Sequence, residues 1–433
     1  MTGSGRLQLA ATGALAVACA EGASRLLAPR ERLLDAAPVR LKDHFPAEDI
    51  ARGRRYSRPQ IAIGIARSAV DAAGLIWVVR RVRVRDRGQA RLRVDERDWE
   101  SRFATRPLAG GAAVAAALSV GLSIPGLPLA ALARQRSVKV GLATQSWRGW
   151  GIDLLKASGI QSVIAAGTGA ATIAAISRWP RAWWLPAAAG SVALGAGLAA
   201  LAPVVLDPLF NDFTPLPEGQ TRSDVLELAR AAEVKVGEVF SVDASRRTTA
   251  ANAYVTGLGP TKRVVLFDTL LSSFTRDEVR VVVAHELAHV HHRDVLRSVG
   301  YAALTAPAAA LAAQRLSWML SPVRDTAAIL PALALATGIV SVPIGLLAGR
   351  LSRAVERRAD DFSLRLSDAP EAFVSFERTV VRQNVADPAP PRWLRLLASH
   401  PPTDERIGMA LSYAEARPGS AGRAAAPTSS RRA

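Results

Sequence analysis

The sequence predicts a mainly α-helical, multi-pass membrane protein with a water-soluble portion that carries a small β-sheet. Three observations lead to that class. Of 433 residues, 49% are hydrophobic, and the mean hydropathy is +0.15. The apolar residues collect into long runs free of charge, of the length that crosses a bilayer. Between two groups of such runs, from about Asp207 to Arg297, short strand-like and helix-like patterns alternate.

The runs come first. Leu108–Ala133 has 26 residues without a charge, Ala182–Leu206 has 25 and Ala327–Gly349 has 23, against about 20 needed for a span. Ser158–Ser177 is a fourth clean run. Three others hold polar or charged residues: Leu7–Leu27 contains Glu21 and Arg25, Ile61–Val79 contains Arg67 and Asp71, and Tyr301–Leu320 contains Gln314 and Arg315. Leu7–Leu27 lacks the basic cluster and cleavage site of a secretory signal. About seven spans are therefore expected. Charges inside spans face the bundle interior or a water-filled cavity. Arg67 and Asp71, four residues apart, suit either a mutual ion pair or a cavity lining.

The net charge of +18 sits in the loops, with an arginine-rich piece at Arg80–Arg106. That piece also carries Asp86, Asp95, Glu96, Asp98 and Glu100, which speaks against nucleic acid as a partner. Anionic lipid headgroups explain excess Lys and Arg beside spans more simply. The single cysteine, Cys19, excludes an internal disulfide and a cysteine-rich metal site. From Ala414 onward the chain is rich in Ala, Gly, Pro, Ser and Arg, the composition of a disordered tail.

Within the soluble portion, Ser223–Glu233 has helical spacing, and Val239–Val242 and Arg263–Phe267 read as short strands. Thr249–Gly257 alternates loosely, as an edge strand would. Thr275-Arg276-Asp277-Glu278 then forms a capping box, with Phe274 and Val279 placed as a hydrophobic staple. Val279, Val282, Val283, Leu287 and Val290 continue as an apolar helical stripe. This helix carries His285-Glu286-Leu287-Ala288-His289, and the whole chain has only 6 histidines. Two imidazoles four apart on a helix lie within about 6 Å of each other. Such a pair holds one zinc ion, and the glutamate between them can take a proton from metal-bound water. The competing reading, an ordinary buried helix, would leave two imidazoles and a carboxylate unpaired in an apolar core.

Catalytic zinc keeps three protein ligands and one open position. Two spans separate His289 from Leu351, so the chain returns to the side it left. There Glu356 lies in Ser352–Asp360, and a helix would set Asp360 one turn beyond it, on the same face. One carboxylate would bind metal and the other orient a ligand imidazole. From the residues alone, a solvated ion pair with the neighbouring arginines stands equally open for Glu356.

With these residues in view, the chain resembles the membrane zinc metalloproteases of the CAAX prenyl protease 1 type. His285–His289 is similar to the family's H-E-x-x-H, and Ser352–Asp360 resembles its S-R-x-x-E-x-x-A-D segment. Thr144–Trp147, Pro208–Asn211, Asn252–Tyr254, His400–Pro402 and Arg406-Ile407 resemble further family elements. The match runs from roughly Gln145 to Ile407, and upstream it rests on span count. The resemblance implies that Glu356 is the third zinc ligand, with one zinc per chain. It implies too that seven helices enclose a large chamber closed at one end by a zincin-like catalytic portion, and that Asn252, Ala253 and Tyr254 line the substrate cleft.

The expected organisation is a transmembrane region of about five spans at 1–206 and a catalytic portion at 207–300. Two spans follow at 301–349, a second catalytic portion at 350–413 and the basic tail at 414–433. The expected activity is peptide hydrolysis by zinc-activated water, with Glu286 as general base. Asp360 would orient a ligand histidine, and His400 and Arg406 are the candidates for oxyanion stabilisation or substrate orientation, against a purely structural turn at Pro401 and Pro402. His291 and His292 lie off the metal-facing positions, and Asp294 is expected to pair with Arg297 or Arg293. The substrate would be a peptide or protein, with or without a lipid, and no nucleic acid. Arg350, Arg353, Arg357 and Arg358 agree with a cytoplasmic C-terminal portion, in a cell membrane; the ten arginines of Arg80–Arg106 would then lie on the opposite side. Two other functions compete: a quality-control protease of the HtpX type for damaged membrane proteins, and a non-catalytic zinc-containing membrane scaffold.

Overall fold

A computed structural model of the chain describes residues 3–89, 106–257, 262–324 and 326–417. Most of Arg80–Arg106 and of the tail therefore lies outside the described residues. The N-terminal half is α1 (Gly3–Leu27), α2 (Ala47–Gln89), α3 (Pro107–Ser123), α4 (Leu127–Lys139), α5 (Trp147–Arg178) and α6 (Trp184–Leu201). A single 3-10 turn around Pro125 joins α3 to α4 as one bent rod. Glycine lets α3 and α5 cross closely: a Cβ on Gly169 would stand 2.5 Å from the Gly111 carbonyl oxygen, and one on Gly111 would stand 2.7 Å from Ile173 Cγ1. Small residues at a helix crossing replace the hydrophobic driving force that lipid cannot supply.

Among the described residues, six helical stretches are long and apolar enough to cross a membrane: Ala47–Arg83, Pro107–Lys139, Trp147–Arg178, Trp184–Leu209, Asp294–Leu320 and Ala327–Ser367. Each overlaps one of the seven runs expected from sequence. The seventh, α1, forms a helix of 25 residues but is not among the six. Its Glu21 pairs with Arg25 at 2.5 Å and with Arg350 at 3.0 Å. Of the two readings open for Arg67 and Asp71, the mutual ion pair does not form. Asp71 Oδ1 is buried without a hydrogen-bond partner, while the Arg67 stem lies over Gly126, which has no Cβ to exclude it. Arg preceding Asp by four residues is the less favourable order on a helix.

After α6 the chain forms β1 (Phe213–Pro215) and α7 (Gln220–Ala231), followed by β2 (Glu238–Val242), β3 (Ala253–Thr256) and β4 (Arg263–Phe267). The four strands form one mixed sheet in the order β1-β2-β4-β3. β2 and β4 run parallel, with Val239 opposite Val264, and the other pairs are antiparallel. β3 has a neighbour on one side only, so its far edge is open. The strands' buried side, with Val239, Val264 and Leu266, packs against Val279, Val282, Val283 and Leu287 of α8 (Arg276–His291), the H-E-x-x-H helix.

The expected capping box forms: Thr275 Oγ1 accepts from the Glu278 amide, and Glu278 Oε2 accepts from the Thr275 amide at 2.8 Å. Buried Glu278 also accepts from Ser375 and Thr379 of α11 (Pro370–Gln383), at 2.6 and 3.2 Å. Arg276 donates twice to Asp224 of α7, at 2.5 and 2.7 Å. Between α8 and α11 lie α9 (Asp294–Leu320) and α10 (Leu330–Ser367), and α12 (Thr403–Ala416) follows α11. At 38 residues, α10 carries a stretch of membrane-crossing length and Ser352–Asp360 on one rod.

Candidate metal centre

Three ligand groups from two helices converge. One ligand atom each from His285, His289 and Glu356 can be chosen so that all lie within 4.8 Å of one another. The two Nε2 atoms stand 3.3 Å apart, the consequence of a four-residue spacing on α8. Glu356 arrives from α10, with Oε2 3.2 Å from His285 Nε2 and Oε1 3.7 Å from His289 Nε2. Both His285 and Glu356 are buried, and Glu356 Oε2 has no hydrogen-bond partner. Two imidazole nitrogens facing one another beside an unsatisfied buried carboxylate oxygen are a donor set that fits a divalent zinc ion.

Behind each imidazole stands a carboxylate. Asp360, one turn beyond Glu356 and fully buried, has Oδ1 2.9 Å from His285 Nδ1. Asp294 has Oδ2 3.0 Å from His289 Nδ1. Sequence reasoning gave Asp294 only its pairing with an arginine. It does pair with Arg297, at 3.2 Å, and with Arg358, but the link to His289 was missed. The chain reaches this position because Arg293 takes a left-handed conformation (φ 56°, ψ 44°) that turns Asp294 back toward the helix it has just left. The only sequence signal was an acid five residues after the second histidine.

The remaining candidates fall as follows. Arg406, on α12, holds Asp360 with two bonds at 2.9 and 2.6 Å, and its Nη1 lies 2.5 Å from buried Glu377 of α11. Its guanidinium is thus engaged by two carboxylates. Glu377 had no sequence signal. His400 stands at the rim, its side chain 61% exposed, with Nε2 3.3 Å from Glu356 Oε2. His291 bonds the Ala232 carbonyl at 2.9 Å, away from the ligand set. Asn252–Tyr254 enter the open edge strand. The Asn252 carbonyl accepts from Phe267 at 3.1 Å, and the Tyr254 ring meets Phe267 edge-on.

The electrostatics favour a cation. Burial opposes charge on His285, yet Asp360 and Glu356 overcome it and hold its proton up to about 10. The same negative charge favours a divalent ion in the proton's place. Burial pushes the Glu286 carboxyl above the usual carboxylate range, Glu356 adds to the rise, and the two imidazoles oppose it.

A helical bundle of membrane-crossing length, joined to a small mixed sheet and a His-His-Glu group of this kind, defines a multi-pass membrane metallopeptidase. The comparisons with known proteins agree. Residues 215–414 match the model of peptidase family M48, and residues 31–212 match the CAAX prenyl protease N-terminal domain of five membrane helices. An uncharacterized metalloprotease of Bacillus subtilis, YhfN, is 30% identical over 300 residues, 67% of this chain and 70% of that one. CAAX prenyl protease 1 of Saccharomyces cerevisiae is 40% identical over 103 residues, which cover 24% of this chain and only 23% of the yeast protein. The crystal structure of S. mikatae Ste24p superposes with a TM-score of 0.70 at 20% identity, covering 94% of this chain and 99% of that one. The chain belongs to peptidase family M48, of the CAAX prenyl protease type.

Proposed function

We propose that the protein is a zinc metalloendopeptidase of the cell membrane that cleaves peptide bonds at a cytoplasmic face. The observation that carries this reading is the convergence of His285, His289 and Glu356 with Glu286 between the two histidines, while β3 leaves an open strand edge in the same soluble portion. His285, His289 and Glu356 would hold one zinc ion, which when bound supplies a Lewis acid for water and the scissile carbonyl. Glu286 takes a proton from the attacking water and delivers it to the leaving amine, a dual role suited to a carboxyl raised by burial. Asn252–Tyr254 align an extended peptide by strand addition. Asp360 and Asp294 orient the two imidazoles, and Arg406 keeps Asp360 in place. His400, exposed beside Glu356, donates to the developing oxyanion.

We further propose that α1 is the seventh span and that the helices enclose a water-filled chamber, with the soluble portion beginning near residue 207. The names of the yeast and plant relatives support a prenylated C-terminal peptide as substrate. A quality-control role toward damaged membrane proteins is the second reading, since the M48 match by itself fixes peptide hydrolysis and not the substrate. A zinc-containing scaffold has no use for Glu286. The test compares, in liposomes with and without a zinc chelator, a farnesylated peptide, its unprenylated twin and an unfolded membrane protein. Faster, chelator-sensitive cleavage of the farnesylated peptide is expected. Equal cleavage of all three removes the prenyl reading, and indifference to chelation removes the metal.

A further inference from the structure

The segment leading into His400 presents three large apolar side chains to the outside. Arg392–Arg395 is a short helical turn, continued by bonds from the Leu396 amide to the Trp393 carbonyl (3.3 Å) and from Leu397 to Leu394 (3.0 Å). Trp393, Leu396 and Leu397 thus stand at helical spacings of three and four, on one face. They are 55%, 62% and 59% exposed, an unusual state for three neighbouring residues of this kind in water.

Their height relative to the bilayer is fixed by tethers to α10. Arg353 Nη1 donates to the carbonyls of Ala398 (2.6 Å) and Leu396 (3.4 Å), and Ser352 Oγ donates to that of Ser399 (3.0 Å). A Cβ on Gly349 would lie 3.8 and 3.9 Å from the same Ala398 and Leu396 oxygens. The uncharged run of α10 ends at Gly349, and Arg350 begins the charged part. The turn is therefore held beside the end of that uncharged run. Below it, Ile339, Val342 and Leu346 are exposed on α10, and with Gly349 and Arg353 they fall within about 80° of the helix circumference. The apolar face of the turn continues this stripe at its end.

We propose that Arg392–Leu397 is an interfacial membrane anchor: Trp393, Leu396 and Leu397 insert at the boundary between acyl chains and headgroups of an anionic phospholipid bilayer. Tryptophan favours that depth because its ring is apolar and its N–H is polar. Exposed Arg392 meets the lipid phosphates, while Arg395 is held by Asp404 at 3.2 Å. The anchor fixes the height of Ser399 and His400 at the site's rim.

The test uses the full chain in vesicles of neutral and anionic phospholipid, without substrate. In a Cys19→Ser background, single cysteines at Trp393→Cys and Leu397→Cys carry a nitroxide, and exposed Glu371→Cys on α11 is the aqueous control. At 393 and 397, relaxation by oxygen should exceed relaxation by a water-soluble nickel chelate, with the reverse at 371. Nickel-dominated relaxation at 393 and 397 overturns the anchor by placing the turn against water, whether outside or inside the bundle. Protection from both reagents overturns it too, by placing the turn against protein.

Discussion

Replacing Asp360 by Asn keeps the shape of the side chain and removes its charge. Asp360 is wholly buried, with one oxygen 2.9 Å from His285 Nδ1 and both oxygens bonded to Arg406. The amide has one acceptor oxygen, and two groups compete for it. Arg406 wins, because it is permanently charged and donates from two nitrogens. The amide NH2 then turns to His285 Nδ1 and makes that nitrogen an acceptor, which shifts the imidazole proton to Nε2, the atom that faces the ligand set. Loss of such a carboxylate behind a ligand histidine typically costs 10–100-fold in metal affinity, about 1.4–2.7 kcal/mol. Arg406 keeps Glu377 at 2.5 Å, so the Asn variant stays folded and short of the roughly 3–5 kcal/mol of an abandoned buried charge. Zinc affinity is read by competition with a chromophoric chelator, and thermal unfolding is followed in parallel. Wild-type zinc affinity in a folded Asp360→Asn protein would refute the reasoning.

Asp294→Asn should act similarly on the other imidazole, lowering zinc affinity about tenfold or more through the 3.0 Å contact with His289; the same chelator competition checks it, and an unchanged constant would return Asp294 to a purely structural pairing with Arg297 and Arg358. A pH prediction follows from Asp224, whose carboxyl the Arg276 guanidinium holds down at about 2 against an ordinary 3.8. A depressed acid contributes stability that is fully present above its unfolded value and lost as pH falls through the folded one. The stability gap between wild type and Asp224→Asn should therefore be constant above about pH 5 and close between pH 4 and 2. A gap unchanged down to pH 2 contradicts the pairing.

Much of the catalytic helix was legible because its signals are local. The capping box, the apolar stripe and the two histidines all lie between Thr275 and Val290 and appear where the periodicity puts them. The strands at Glu238–Val242 and Arg263–Phe267 were legible for the same reason, since β-branched runs bounded by Gly, Asp and Pro have few alternatives. Glu356 was legible only through the family resemblance: the residues alone offered a carboxylate among arginines, and its approach to His285 depends on packing across two long helices. Asp294 and Glu377 were illegible because their roles depend on a left-handed residue at Arg293 and on the docking of α11 against α12, neither of which leaves a periodic trace. For Arg67 and Asp71 the sequence left a mutual pair and a cavity lining open, since spacing on a helix permits a contact without deciding which neighbour wins.

In the proposed mechanism His285, His289 and Glu356 hold the metal and Glu286 moves the proton. Purified, zinc-loaded Glu286→Gln protein separates the two. It should retain one zinc per chain by metal analysis while cleavage of a quenched peptide falls at least about a hundredfold, the lower end for loss of a general base. Cleavage at the wild-type rate with zinc in place would contradict the mechanism.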